Sequence, residues 1–201
     1  MIVAVARSFA TRCLARRIGG FVAKHPWIEV RLDGQRHLAD LSNDVDCAIR
    51  VGNGDWPGLH VESLGSDPIV PVACHSVAHR IGLEPSSEAL SGETLLHFVE
   101  RDLWSLWCNG NNLHVPLSTR NVYFSETVMM LEAAEAGQGI AVARRSLVES
   151  AIQNGDLVAL YANSVADGVG YYFCCSPDAL NGRKVAAFRQ WLFEPIGQDA
   201  L

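Results

Sequence analysis

The chain has 201 residues, of which 49% are hydrophobic and 19% charged, and its formal net charge is −6. This is ordinary globular composition, which argues against disorder, and a chain of this length buries a full core without metal or disulfide staples. The acidic balance excludes a free-standing nucleic-acid binder, which needs a basic face. Arg12, Arg16 and Arg17 fit on one solvated face of one helix. No stretch approaches the ~20 consecutive apolar residues of a membrane span, and Met1–Ala6 is too short for a signal-peptide core. The expected location is therefore the cytoplasm, with no membrane partner. Cys13, Cys47, Cys74, Cys108, Cys174 and Cys175 show no CxxC spacing. They read as free, buried thiols, with no disulfide and no metal site.

Ile2–Ala6 is a β-favouring run, and Ser8 follows at a position suited to an N-cap. Leu14, Ile18, Phe21 and Val22 then recur at helical spacing, with Arg12, Arg16, Arg17 and Lys24 off that face. Gly19-Gly20 weakens this helix and His25-Pro26 ends it. Trp27–Leu32 alternates as a strand does, and Asp33-Gly34 signals a turn. Leu38–Leu41 is expected to form one or two helical turns, Cys47–Val51 a buried strand, and Gly52–Gly58 a loop. This β-α-β-α-β order predicts a mainly parallel sheet.

Val61–Leu64 and Ile69–Ala73 read as strands on either side of Gly65-Ser66-Asp67-Pro68. A second unit opens with helical turns near Val77–Ile81 and Glu88–Leu90 and a strand at Leu95–Val99. Trp104–Cys108 is an aromatic stretch whose two tryptophans are expected to pack together, followed by a polar loop at Asn109–Asn112. Asn121–Phe124 is a strand, and Ser125 or Glu126 starts a helix that ends near Gly137. Ile140–Ala143, Leu157–Leu160 and Tyr171–Cys175 are strands, and Arg145–Gln153 is a helix. A final helix after Gly182 carries Val185, Phe188, Trp191 and Leu192 on one face. The predicted architecture is two α/β lobes, residues 1–68 with 171–201 and residues 69–170, with a ligand cleft between them.

Several pieces carry a family likeness. They are Val3–Leu14, His25–Val30, Asp46–Gly52 with Gly54–His60, Ser125–Leu147 (above all Ala133-Ala-Glu-Ala-Gly-Gln-Gly-Ile-Ala-Val-Ala-Arg-Arg-Ser-Leu147) and Lys184–Leu192. In this order they resemble the effector domains of LysR-type transcriptional regulators, in the branch that contains the glycine-cleavage activators. The likeness covers nearly the whole chain. It implies two Rossmann-like lobes with a central cleft, of the type 2 periplasmic-binding-protein kind. Cys13 departs from the branch, which often has a bulky aromatic there, and Trp104–Leu117 fits only loosely. This chain has no N-terminal winged helix-turn-helix, so contact with DNA is expected only through that missing domain.

The same likeness implies where a ligand sits. Free N–H groups at a helix start attract anions, and the resemblance places the effector at Ser8 and Phe9. From the residues alone, Ser8 is equally well an ordinary cap. Arg50 closes a buried run at a strand end, where open α/β sheets gather ligands. It either pairs with a carboxylate ligand or bridges to Asp46 or Asp55. Gly52 and Gly54 read first as turn residues, and Gly52 is counted with Arg50 among the ligand-binding candidates. Trp56 walls the pocket or seals the core edge. Ser125 precedes the second unit's helix with Thr127 in its first turn, mirroring Ser8, and the resemblance adds both to the pocket lining.

The helix from Glu126 to Ala136 is apolar around most of its circumference, with Glu132 and Glu135 on a narrow polar strip. One sheet needs only one apolar stripe, so a further partner is expected, and a homodimer or higher homo-oligomer is predicted. Catalysis has no constellation: Cys74-His75 are only sequence neighbours, and HExxH and GxSxG are absent. No cofactor motif stands out. The leading reading is an effector-sensing regulatory domain for a small, anionic metabolite; the alternative is a solute-binding protein for transport.

Overall fold

The computed structural model describes residues 1–35, 45–114 and 120–194. The chain divides into two compact units, Met1–Asp67 with Gly168–Leu201 and Pro68–Asp167. In chain order the first elements are β1 (Ile2–Ala6), α1 (Arg7–Phe9) running on through a π-helical turn (Ala10–Leu14), α2 (Ile18–Lys24), β2 (Arg31–Gln35), β3 (Cys47–Gly52) and β4 (His60–Ser63). The second unit holds β5 (Ile69–Ala73), α3 (His75–Ile81), α4 (Ser87–Ser91), β6 (Leu95–Phe98), α5 (Leu103–Gly110), β7 (Asn121–Phe124), α6 (Thr127–Glu135), β8 (Ile140–Arg144), α7 (Arg145–Asn154) and β9 (Val158–Ala159). The chain then returns to the first unit for β10 (Gly170–Cys175) and α8 (Arg183–Phe193).

Each unit is built on a five-stranded sheet, ordered β2-β1-β3-β10-β4 in one and β7-β6-β8-β5-β9 in the other. The sheets are mixed, not mainly parallel. β1 pairs parallel with β2 and β3, and β6 parallel with β7 and β8. β10 runs antiparallel to β3 and β4, and β5 antiparallel to β8 and β9. The reason is connectivity. A crossover helix returns the chain to the same sheet end and forces parallel pairing, whereas β5 and β10 arrive by extended crossovers and are free of that constraint.

The core of the first unit includes an aromatic knot, with Phe21 edge-on to Phe188 at 5.4 Å and tilted to Trp191 at 5.3 Å. Val185, Phe188, Trp191 and Leu192 are all buried, as the spacing of the last helix predicts. Trp104 and Trp107 lie in the second unit's core, where Trp107 packs on Tyr161 at 4.5 Å. Both indoles are satisfied by carbonyls, Trp104 by Leu96 and Trp107 by Asn163. All six cysteines are free and buried.

Local expectations needed revision at several places. Ser8 is not the cap: Ala6 is, without a side-chain bond, and Ser8 lies inside the first turn. The helix that follows is not continuous. The π-turn and the turn at residues 15–17 shift its phase, so Arg12 is buried at 7% exposure while Val22 faces out. Trp27 is 48% exposed, and the strand starts only at Arg31. Asp33-Gly34 continues that strand, paired with Ala4 and Val5. The stretch 103–110 is helical because Asp102 caps it, accepting from the Ser105 N–H at 3.0 Å. The strands expected at 61–64 and 157–160 are His60–Ser63 and Val158–Ala159. Helix α6 starts at Thr127 with Glu126 as cap, and it buries Met130, Leu131 and Ala134 while Met129 is 54% exposed. The turns expected at Leu38–Leu41 lie outside the described residues. No helix among the described residues is long and apolar enough to cross a membrane.

Two contacts generate tests. The Ile140 N–H donates to the Thr94 carbonyl at 2.9 Å, and a methyl on Gly139 would overlap that same carbonyl oxygen. Backbone on both sides leaves no cheap relaxation, so Gly139→Ala should cost about 1–3 kcal/mol, read as a lowered urea midpoint; an unchanged midpoint would refute the overlap. Helix α8 is tied to β4 by Arg189, whose Nε and Nη2 donate to Glu62 at 2.6 and 2.7 Å, with His60 on the same carboxylate. The Arg189 bonds, aided by His60 against the opposing effect of burial, hold the Glu62 carboxyl below its ordinary value. Its contribution to stability is therefore complete above the unfolded carboxylate value and is lost as pH falls through the lower folded one. Urea midpoints of wild type and Glu62→Gln should differ at pH 7 and converge on acidification. A gap that stays constant down to pH 3 would contradict this.

Candidate functional site

In the first unit the parallel strands β1 and β3 end side by side, with Val5 opposite Ile49, and β10 starts at the same edge, with Gly170 opposite Gly52. The chain leaves β1 straight into α1. No side chain caps that helix start, and a helix start at a strand end is a place that favours anions. Ser8 turns its hydroxyl toward the Tyr171 hydroxyl, 3.4 Å away. The Phe9 ring packs on the Tyr171 ring, centroids 4.4 Å apart. Ser8, Phe9 and Tyr171 thus form one cluster, with two hydroxyls and a helix start against an aromatic wall.

Arg50, Gly52 and Trp56 form a second cluster. The Arg50 guanidinium sits over the Trp56 ring at 5.7 Å, and Trp56 meets Tyr172 edge-on at 5.6 Å. Two glycines make this possible. A methyl on Gly52 would stand 2.9 Å from Trp56 Cζ2, and one on Gly54, whose φ is +88°, would stand 2.9 Å from Tyr172 Cε1. Trp56 also packs on a small core of Ala4, Ala48 and Cys174. Burial lowers the Arg50 pKa, with Cys174 opposing, and burial pushes the Cys174 thiol up to about 11. Arg50 pairs in register with Tyr172, not Tyr171. Since neighbouring residues of a strand face opposite sides, the Arg50 and Ser8 clusters occupy opposite faces of the sheet. Asp46 directs Oδ2 to the Ile2 N–H at 2.6 Å.

In the second unit β6, β7 and β8 end at a common edge at Phe98, Phe124 and Arg144. Ser125 is exposed just past β7, and Thr127 opens α6. The sequence suggests that Ser125 mirrors Ser8, but the topology differs. Ser8 follows β1, the second strand of its sheet, whereas Ser125 follows β7, the counterpart of the edge strand β2. The residues after β6, the counterpart of β1, lead to Asp102 instead. Burial would raise the Asp102 carboxyl, but bonds from the Ser105 hydroxyl and N–H outweigh it and hold the pKa below its ordinary value. Arg144 closes β8 and reaches Asp167.

Tyr171, Asp102 and Arg144 were missed as site-edge residues. A tyrosine in an otherwise apolar strand needs a partner for its hydroxyl, and that was the available signal for Tyr171. Asp102 and Ser105 stand at capping distance, which was the signal for α5.

The chain matches the family model of the LysR substrate binding domain over residues 2–195. It belongs to that family. It is 34% identical over 195 residues to the glycine cleavage system transcriptional activator of Escherichia coli K12, which covers 96% of this chain and 63% of that relative. It is 30% identical over 203 residues to the transcriptional activator AmpR of Pseudomonas aeruginosa, covering 100% of this chain and 67% of that one. Among solved structures, the effector domain of Pseudomonas aeruginosa AmpR superposes with a TM-score of 0.80 at 29% identity, covering 96% of this chain and 93% of the other. The effector binding domain of Citrobacter freundii AmpR gives a TM-score of 0.81 at 24% identity, covering 96% of each chain. The fold is thus that of the LysR effector-binding domains, α/β and periplasmic-binding-protein-like. The chain spans less than two thirds of the length of the glycine-cleavage relative.

Proposed function

We propose that this LysR-family domain senses a small anionic metabolite and passes its presence to an attached DNA-binding domain. The family supports a regulatory rather than a transport or catalytic role, because the relatives are transcriptional activators. The observation that carries the ligand reading is the Ser8–Tyr171 hydroxyl pair at an uncapped helix start, 3.4 Å apart at the end of β1. In this reading the Ser8 and Phe9 amides and the two hydroxyls hold a carboxylate or similar group. Arg50, stacked on Trp56 beside Gly52 on the other face of the sheet, adds only longer-range positive potential, and Ser125 and Thr127 offer hydroxyls at the strand ends of the second unit. The effector acts by population shift, so it must bind one arrangement of the regulator better than another. The cytoplasm is the compartment where such a regulator meets DNA.

The first experiment is a thermal-shift screen of amino acids and other small carboxylates. A ligand at about 100 times its Kd stabilises the native state by about 2.7 kcal/mol. Calorimetry with the hit should then show at least about tenfold weaker binding to Ser8→Pro, because proline is tolerated in a first helical turn yet removes both the amide and the hydroxyl. Tyr171→Phe should weaken binding less. Equal affinity for wild type and a folded Ser8→Pro would defeat the assignment.

We also propose that the domain is a homodimer or larger homo-oligomer. Val122 and Tyr123 of edge strand β7 and Met129 of α6 are exposed apolar side chains within one unit. Light scattering at high micromolar concentration should give a mass above that of one chain, and Met129→Lys should lower it; a monomer under those conditions would dismiss the proposal.

A further inference from the structure

We propose that the Asp167 carboxylate, gripped by two arginines, fastens the returning crossover to the second unit and thereby confines that crossover's backbone freedom to the step at Gly168. This concerns the mechanics of the chain and stands apart from the identity or existence of the effector. After β9 the chain runs from residue 160 to residue 169 with no helix or regular strand. Such a segment has few backbone bonds to hold it, and side chains must supply the rest.

Several fastenings do so, all within the second unit. The Trp107 indole N–H donates to the Asn163 carbonyl at 3.4 Å. Ile69 and Val165 exchange two backbone bonds, 2.8 Å from the Ile69 N–H and 3.1 Å from the Val165 N–H. The Val165 side chain sits against Gly110, where a methyl would stand 2.6 Å from Cγ1, so α5 must carry glycine there for the segment to dock.

The last fastening is ionic. Arg144 grips Asp167 with both terminal guanidinium nitrogens, Nη1 to Oδ1 at 3.2 Å and Nη2 to Oδ2 at 3.0 Å. Arg101 adds a contact from Nη2 to Oδ2 at 3.0 Å. The Asp167 side chain is only 1% exposed and that of Arg144 only 8%. A bidentate pair fixes orientation as well as distance. Once buried, it is costly to break from one side, because the surviving charge is left without compensation. One residue further on the constraint ends: Gly168 has φ +74° and open space where a side chain would be. The outgoing crossover has a matching point at Gly65, φ +112°, also open.

Hydrogen exchange with mass spectrometry on the ligand-free protein tests this. In wild type, the bonded amides of Val165 and Ile69 should exchange as slowly as those of β8. Asp167→Ala should speed exchange of the Val165 amide, within 163–167, at least tenfold while β3 and β8 stay within twofold. Arg101→Gln removes only the more exposed arm and should give an intermediate rise of about threefold in the same segment. That variant decides the matter if Asp167→Ala fails to fold. An unchanged 163–167 segment in either folded variant overturns the proposal, and so does an acceleration spread evenly over the second unit.

Discussion

Parallel strands joined by helices all finish at one edge of their sheet, and that constraint governs where chemistry can gather in this protein. β1 and β3 end together in the first unit, and β6, β7 and β8 end together in the second. Residues that follow a strand here are delivered to a common edge whatever their separation in sequence. Ser8 meets Tyr171 across 163 residues, because β10 begins at the edge where β1 and β3 finish. The antiparallel strand matters as much as the parallel ones. It lets a side chain at the start of a strand face the helix start that follows another strand's end.

Much of the fold was legible in the sequence, for identifiable reasons. Ile2–Ala6, Ile69–Ala73 and Asn121–Phe124 are short runs rich in apolar or β-branched residues. The final helix has an apolar face at 3.6-residue spacing and a glycine before it. What failed was decided by contacts that periodicity cannot see. Ser8 is two residues past the cap, and its partner is a distant tyrosine. Arg12 lies on the polar side of an ideal helix, but a π-turn adds a residue to one turn and rotates it inward. Asp33-Gly34 has turn chemistry, yet pairing with β1 keeps it extended, since tertiary pairing overrides a dipeptide preference.

The candidate site was legible in type but not in arrangement. Anion-binding at a helix start and a charged residue at a strand end are patterns that a sequence displays. Which face a strand residue points to depends on register, and register follows from the partner strand. Arg50 and Tyr172 share a face, while Ser8 turns toward Tyr171. A one-residue difference on β10 therefore separates an arginine stacked in an aromatic cluster from a hydroxyl pair at a helix start. The glycines at 52 and 54 acquire their meaning only here, as the space that Trp56 and Tyr172 occupy.

The two sheets share a strand order although the chain has no internal sequence repeat, so equivalent positions are free to take different tasks. The third strand of each parallel trio shows this. β3 ends in glycine beside aromatic rings, whereas β8 ends in Arg144, which is committed to the protein's own Asp167. A guanidinium already neutralised by a buried carboxylate offers little to a visiting anion, since both its position and its charge are spent. The edge of the first unit keeps hydroxyls and a helix start that carry no formal charge and need no internal counter-ion. An anion docking there meets hydroxyl and amide donors rather than a guanidinium committed to a buried carboxylate, which is the physical reason for favouring Ser8 and Tyr171 over Arg144 as its seat.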